Sequence, residues 1–272
     1  MLKTRVALAL MATLAFLAEG FASEIREFDT ATLEKLGNEI SRRDEIAARA
    51  DRIVKETHPP ARALKMRGWI SELSKGGDTV YLIAETGSGL CLAYTATFRN
   101  KEKPQIEDRR GQPLPPDVAL RFKARETALA AVFSRLYDVP YNAEVLDDPD
   151  GSGFLVYFLA VSNKEGDRIL GGHFRITVSA DGSKAEQIDA LSRGIIKDKP
   201  KALPRKQEKG IVISQLVSDV PVETFIYSSH LFRLPIFVGT KVGTWKVVNG
   251  RIEKADSDFL REGQTSTRKK TN

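Results

Sequence analysis

Hydrophobic side chains recur every three or four positions in three segments, residues 28–57, 117–137 and 221–233. This spacing places them on one face of an α-helix. In the first segment the apolar positions are Leu33, Leu36, Ile40, Ala47, Ala50 and Val54. Asp29 or Thr30 is suited to cap the start of this helix. The Pro-Pro pair that follows the segment ends the helix, because residues before proline avoid helical backbone angles. The sequence therefore predicts three helices, the first of them unusually long.

Shorter segments between these helices either alternate between apolar and polar residues or are apolar throughout, and turns containing Gly, Asp and Asn separate them. This pattern is typical of β-strands. The predicted strands are residues 68–73, 79–84, 90–98, 142–146, 154–161, 168–180, 184–190, 235–240, 244–248 and 251–254. The segment "FLVYFLAV" is apolar on both faces and is predicted to be an interior strand. The polar, proline-rich residues 100–116 are predicted to form a loop.

The order of these segments predicts an α+β fold in which a helix followed by an antiparallel β-meander is repeated and the helices pack on antiparallel sheet. The predicted boundaries are a long N-terminal helix (23–60), an α+β domain of meander, helix and meander (61–192), a basic linker (193–209), a C-terminal helix and β-hairpin unit (210–256) and a disordered tail (257–272). Whether the three units share one sheet is left open by the sequence.

The first 22 residues have the pattern of a cleavable signal peptide. Lys3 and Arg5 precede an apolar run of 13 residues, 6–18, and small residues around Ala22 suit cleavage after that position. A membrane span needs about 20 apolar residues, so a retained anchor is the weaker interpretation. The sequence thus predicts a periplasmic or secreted protein of a bacterium, with no membrane span after cleavage.

The net charge of +6 is unevenly distributed along the 272 residues. The leader carries +1, residues 197–209 carry +4 and the tail from Arg261 carries +3, so the remainder carries −2. A nucleic-acid surface needs cations clustered on a folded element, so nucleic acid is not expected as a partner. Attraction to anionic envelope polymers remains compatible with this distribution. Cys91, the single cysteine, lies between apolar residues and is expected to be buried.

Candidate chemistry is sparse. The residues "GGHFRITVSADGS" alternate so that His173, Arg175 and Thr177 share one face of a strand, which is interpreted as a polar outer face that could contact a partner. The sequence contains no CxxC or HExxH metal motif, no phosphate-binding glycine loop and no GxSxG nucleophile motif. We therefore expect no catalytic residue, no metal and no cofactor.

The segments "GGHFRITVSADGSKAEQIDALSR" and "VPVETFIYSSHLFRLPIFVGTKVGTWKV" resemble stretches of uncharacterised exported proteins of Gram-negative bacteria. The resemblance implies export and no particular activity. The sequence favours a non-catalytic binding protein whose partner is another envelope protein, a peptide or an anionic envelope polymer. The alternatives are a periplasmic hydrolase, in which carboxylates, His173 or His230 would act, and an inhibitor or immunity protein.

Overall fold

The computed structural model describes residues 25–58, 64–99, 103–151, 153–164, 166–198 and 210–255. Over these ranges the chain has an α+β fold of helices and largely antiparallel sheets, as predicted. The predicted leader, residues 1–22, and the predicted tail, residues 257–272, lie outside the described residues.

Three α-helices occupy the segments with helical periodicity: α1 is Thr30–Thr57, α2 is Pro116–Val132 and α3 is Thr224–Phe232. Asp29 caps α1, because its Oδ1 accepts a hydrogen bond from the backbone N–H of Thr32 at 2.7 Å. A 3₁₀ turn, Phe133–Arg135, follows α2 directly. None of the helices in the described ranges is long and apolar enough to span a bilayer.

The first sheet follows α1 and contains β1 (Lys65–Glu72), β2 (Asp78–Thr86), β3 (Gly89–Phe98) and β4 (Gln105–Asp108), in that order and antiparallel. Three of these strands were predicted. β4 lies within the segment predicted to be a loop, and that prediction is wrong for these four residues. Its sequence, "QIED", has one apolar residue, so its extended conformation depends on pairing with the edge of β3.

The second sheet contains β5 (Tyr141–Asp147), β6 (Gly153–Ala160), β8 (Phe174–Ser179) and β9 (Ala185–Ala190), paired antiparallel in that order, while β7 (Arg168–Gly171) pairs with β10 (Ile195–Asp198) in a separate ribbon. The single strand predicted for 168–180 is broken at Gly171 and Gly172, whose φ angles are +78° and +70°. β10 lies at the start of the predicted basic linker, and residues 199–209 lie outside the described residues.

The third sheet contains β11 (Ile211–Ser214), β12 (Ile236–Thr240), β13 (Gly243–Val248) and β14 (Arg251–Lys254). β11, which the pattern did not predict, pairs parallel with β12, and α3 lies in the connection between them. The other two pairings are antiparallel. The three units thus have separate sheets, and a common repeat among them stays a prediction.

Two cores meet at the second sheet. One face of that sheet packs against α2, through Phe158 and Ile176 among others. Leu155 and Leu159 of β6 point to the opposite face and join the core formed by α3 and the third sheet. β6 is therefore interior, as its two apolar faces predicted.

Helix α1 connects this second core to the first sheet. Its N-terminal half contributes Leu33, Leu36 and Ile40 to the core around α3. Its C-terminal half contributes Ile46, Ala47, Ala50 and Val54 to the core of the first sheet. One long helix therefore supplies apolar surface to two separate cores, which explains its length.

We expect Gly37→Ala to destabilise the packing of α1 on α3. A Cβ at Gly37 would lie 2.6 Å from the carbonyl oxygen of Glu223 and 2.6 Å from Cβ of Ile226. Overpacking of this kind costs about 1–3 kcal/mol and outweighs the gain of about 1 kcal/mol in helix propensity. The measurement is urea unfolding, with Glu56→Ala on the exposed side of the same helix as the control. An increase in stability would contradict this, because it would show that the contact between α1 and α3 accommodates the added methyl group without strain.

Candidate functional site

The polar row of β8 is buried. His173, Arg175 and Thr177 are 2%, 1% and 8% exposed, so the interpretation of this row as a solvent-facing surface is wrong. The alternation itself is correct, because Phe174 and Ile176 face α2 on the other side of the sheet. Distant segments of the chain cover the polar side, namely residues 25–29 and the loop before α3. Whether the row contacts a partner stays a prediction.

The Arg175 guanidinium is the centre of this buried layer. Its Nε and Nη2 donate to Oδ2 of Asp189 at 3.0 and 2.8 Å, and its Nη1 donates to Oε1 of Glu223 at 2.8 Å. The Tyr157 hydroxyl donates to the same oxygen of Glu223 at 2.8 Å. Two carboxylates therefore compensate one buried cation, an arrangement that is costly to break when either partner is removed.

Residues 25–29, which we call the strap, close this layer from outside. The guanidinium of Arg26 binds Asp148 through Nη1 and Nη2, at 2.6 and 2.8 Å, and also contacts Asp150. Arg175 donates to the backbone oxygen of Arg26. The ring of Phe28 lies 4.8 Å from the Arg26 guanidinium and 4.7 Å from that of Arg175. The strap is therefore an integral part of the fold.

His173 is held neutral in this interior. Its Nδ1 accepts the backbone N–H of Ala160 at 3.0 Å, which places the ring proton on Nε2, and burial lowers the pKa of His173 to about 4. Among the described residues, Nε2 has no hydrogen-bond partner. The ring lies edge-on to Tyr227 with centroids 6.1 Å apart. This environment suits a structural imidazole.

A cleft of about 920 Å³, which we call the arginine cleft, lies between α1 and α3. Its lining residues are Asn38, Ser41, Arg42, Asp44, Glu45, Ala48, Arg49, Arg52, Tyr227, His230, Leu231 and Arg233. Four guanidinium groups therefore line the cleft, against two carboxyl groups. From residue 38 to residue 52 the cleft follows α1 for about 21 Å at 1.5 Å per residue.

The arginines of the cleft differ in their surroundings. Arg42 is bound to Asp78, with Nη2 and Oδ2 2.6 Å apart, and Arg49 lies 5.1 Å from the ring centroid of Phe98. Arg42, Arg52 and Arg233 are exposed, and Arg49 is partly buried. Arg233 ends α3 in the left-handed conformation, with φ of 56°. The cleft therefore combines positioned cations with cations that are open to solvent.

Asp44 forms the floor of the cleft. Its carboxylate accepts hydrogen bonds from Nδ2 of Asn142 at 2.7 Å and from the Tyr227 hydroxyl at 3.2 Å. Burial raises the pKa of Asp44, and these two hydrogen bonds oppose that shift. His230 also lines the cleft, but its Nε2 is bound to Oδ1 of Asn38 at 2.9 Å.

A second carboxyl group, Glu144, lies buried beneath the floor. Its Oε1 accepts the indole N–H of Trp69 at 2.8 Å. Burial, assisted by the nearby negative charge of Asp44, raises the pKa of Glu144 to about 8. Such shifts are enriched at functional sites, although buried structural networks produce them as well.

The fold brings only some of the candidate residues predicted from the sequence close to one another. His173 and Arg175 belong to the buried layer, whereas His230 lies in the last turn of α3 and lines the cleft. Cys91 is buried, as predicted. The arginine cleft was not predicted, although Arg42, Arg49 and Arg52 recur at helical spacing on the polar face of α1. Across the described ranges, His, Cys, Asp and Glu form no group of three or more able to hold a metal ion.

Comparison with known proteins finds no matching family model, no matching curated protein and no matching solved structure.

We expect Glu144→Gln to stabilise the protein increasingly as the pH rises. The pKa of about 8 in the fold lies above the ordinary value of 4.5, so the folded state retains a proton that the unfolded chain loses. The stability contributed by this group is complete below pH 4.5 and is lost as the pH rises to about 8. Glutamine preserves the acceptor for Trp69 and removes this loss.

Chemical denaturation at pH 5 and pH 9 provides the measurement for Glu144→Gln. At about 1.4 kcal/mol per pKa unit, the difference between variant and parent should grow by several kcal/mol between these values. A difference that is the same at both pH values would contradict a protonated Glu144. Glu186→Gln, at an exposed position of β9, is the control.

We expect the opposite pH dependence from His173. Its pKa of about 4 in the fold lies below the ordinary 6.5, so its stability contribution is complete above pH 6.5 and is lost as the pH falls to about 4. His173→Asn keeps an acceptor near Nδ1 and cannot be protonated. The stability of this variant relative to the parent should improve by about 3 kcal/mol from pH 7 to pH 4, measured by urea unfolding. A constant offset between the two proteins would rule out the buried neutral ring.

Proposed function

We propose that the chain is an exported, non-catalytic binding protein of the bacterial envelope, and that the arginine cleft holds an anionic polymer. The observation that carries the proposal is the convergence of four arginines on one cleft between α1 and α3. Guanidinium groups bind carboxylates and phosphates through paired hydrogen bonds, which favours anionic ligands. The predicted signal peptide supports the location.

The shape of the cleft supports an extended ligand. Its path of about 21 Å along α1 exceeds the length of a single sugar or amino acid. Leu231, which lines the cleft and is half exposed, offers apolar contact. A carboxylated glycan chain combines charge, length and apolar ring faces, so we assign the ligand to this class.

The proposal is tested with polygalacturonate, a soluble carboxylated glycan, as the probe. Arg52→Gln combined with Arg233→Asn removes two exposed charges, and asparagine tolerates the left-handed conformation at position 233. We expect the dissociation constant to rise about tenfold, equivalent to about 1.4 kcal/mol. Arg193→Gln, an exposed arginine outside the cleft, should leave it unchanged. Isothermal titration calorimetry at two salt concentrations provides the measurement.

Varying the length of the glycan and the type of polymer makes the test specific. Affinity should increase from the monosaccharide to oligomers that fill the cleft, and it should fall with added salt. Equal loss of binding in Arg193→Gln would show that the cleft is not the binding surface. Tighter binding of single-stranded DNA than of the glycan would overturn the assignment to an envelope polymer.

A second candidate function, hydrolysis of a polymer in the same cleft, is favoured by one observation. The cleft gathers the Asp44 carboxyl, whose pKa is raised, with the Tyr227 hydroxyl and the His230 imidazole. Against it, His230 is bound to Asn38, and the Asp44 oxygens are bound to Asn142 and Tyr227. Release of reducing ends from the glycan that is lost in Asp44→Asn would favour the hydrolase over the binding protein.

A further inference from the structure

A negative charge lies on the floor of the arginine cleft, beneath walls that carry four arginines. Asp44 lines the cleft, and the residue is 7% exposed. Charges interact strongly where solvent is largely excluded, because little water is present to screen them. A ligand that consists only of negative charges is therefore attracted by the arginines and repelled by Asp44.

The carboxylate of Asp44 can accept further hydrogen bonds. Its Oδ1 accepts from Nδ2 of Asn142 at 2.7 Å, and its Oδ2 accepts from the Tyr227 hydroxyl at 3.2 Å. A carboxylate has about four acceptor positions, so about two remain after these bonds. The neighbouring Arg42 and Arg43 are paired with other carboxylates. A donor on a bound ligand would complete the hydrogen bonding of Asp44.

The negative charge of the floor belongs to Asp44 at neutral pH. Burial raises the pKa of Glu144, beneath the floor, to about 8, so that Glu144 keeps its proton. Burial also raises the pKa of Asp44, but the hydrogen bonds from Asn142 and Tyr227 stabilise its charged form. The floor therefore carries one negative charge instead of two.

We propose that Asp44 determines the specificity of the arginine cleft by accepting a hydrogen bond from a sugar hydroxyl, so that a carboxylated glycan is bound in preference to a polyanion without donors. This inference rests on the proposed function, since it concerns the same cleft. A hydroxyl that donates to a carboxylate forms a charge-assisted hydrogen bond, which offsets the loss of water from Asp44. A ligand without a donor displaces that water and replaces none of its hydrogen bonds. Sites built to bind a hydroxyl reject analogues that lack it for this reason.

The test is titration calorimetry at neutral pH with trigalacturonate and with the same trisaccharide after methylation of every hydroxyl, which leaves its carboxylates unchanged. The parent protein should bind the methyl ether about tenfold more weakly, the loss expected for one hydrogen bond to a charged group. In Asp44→Asn this difference should largely disappear, because the Tyr227 hydroxyl occupies the one oxygen that remains. The bulk of the methyl groups affects both proteins alike and cancels in the comparison.

Glu45→Gln is the matched control. Glu45 also lines the cleft but is exposed, so this variant removes the same charge without changing the floor. It should shift the affinities for the trisaccharide and for its methyl ether by the same factor. Loss of the preference for the trisaccharide in Glu45→Gln as well would show that net charge, and not the Asp44 acceptor, sets the specificity.

The outcomes separate this inference from the proposed function. Suppose that trigalacturonate binds, that the Arg52/Arg233 variant weakens its binding, and that Asp44→Asn leaves the preference over the methyl ether unchanged. The role assigned to Asp44 is then wrong, and the binding function stands. Absence of trigalacturonate binding overturns both.

Thermal unfolding checks the fold of Asp44→Asn, and Tyr227→Phe decides the question if that variant does not fold. Removal of the Tyr227 hydroxyl leaves Asp44 charged and with one donor fewer, so a sugar hydroxyl becomes more important to it. The preference for trigalacturonate over the methyl ether should therefore increase in Tyr227→Phe. An unchanged preference would overturn the proposal.

Discussion

The fold depends on the compensation of one buried cation. Arg175 projects from the middle of the second sheet into a region without solvent, where an unpaired guanidinium would cost several kcal/mol. Its partners come from three separate parts of the chain: Asp189 on β9, Glu223 at the start of α3, and the backbone of Arg26 in the strap. Satisfying this one side chain therefore fixes the strap and α3 against the sheet.

This constraint determines the position of α1. The strap leads directly into the helix at Thr30, so anchoring Arg26 and Phe28 places the first turn of α1 over the second sheet. Gly37 then allows the close approach of α1 to α3. The remaining turns continue to the first sheet, where Ala47 and Ala50 are buried. The helix thus connects the region of the buried ion pairs around Arg175 to the arginine cleft.

The sequence by itself determined the fold class and most of the secondary structure, because periodicity and turn residues are local properties. The three helices, the interior strand β6 and the burial of Cys91 follow from them. Local signals did not predict β4 and β11, since the first is too polar and the second too short, and neither forms without a neighbouring strand. The break at Gly171 and Gly172 was missed for a related reason, because glycine permits an extended conformation as readily as a turn.

Only the tertiary structure decided which polar residues are buried. The alternation of His173, Arg175 and Thr177 correctly placed them on one face of β8, but the same alternation occurs whether that face meets water or a second layer. The layer that covers it comes from the strap, about 150 residues away in the sequence, and from Glu223. The arginine cleft likewise depends on α3 packing beside α1. Burial and convergence are properties of pairs of distant segments, and a one-dimensional pattern does not contain the distance between them.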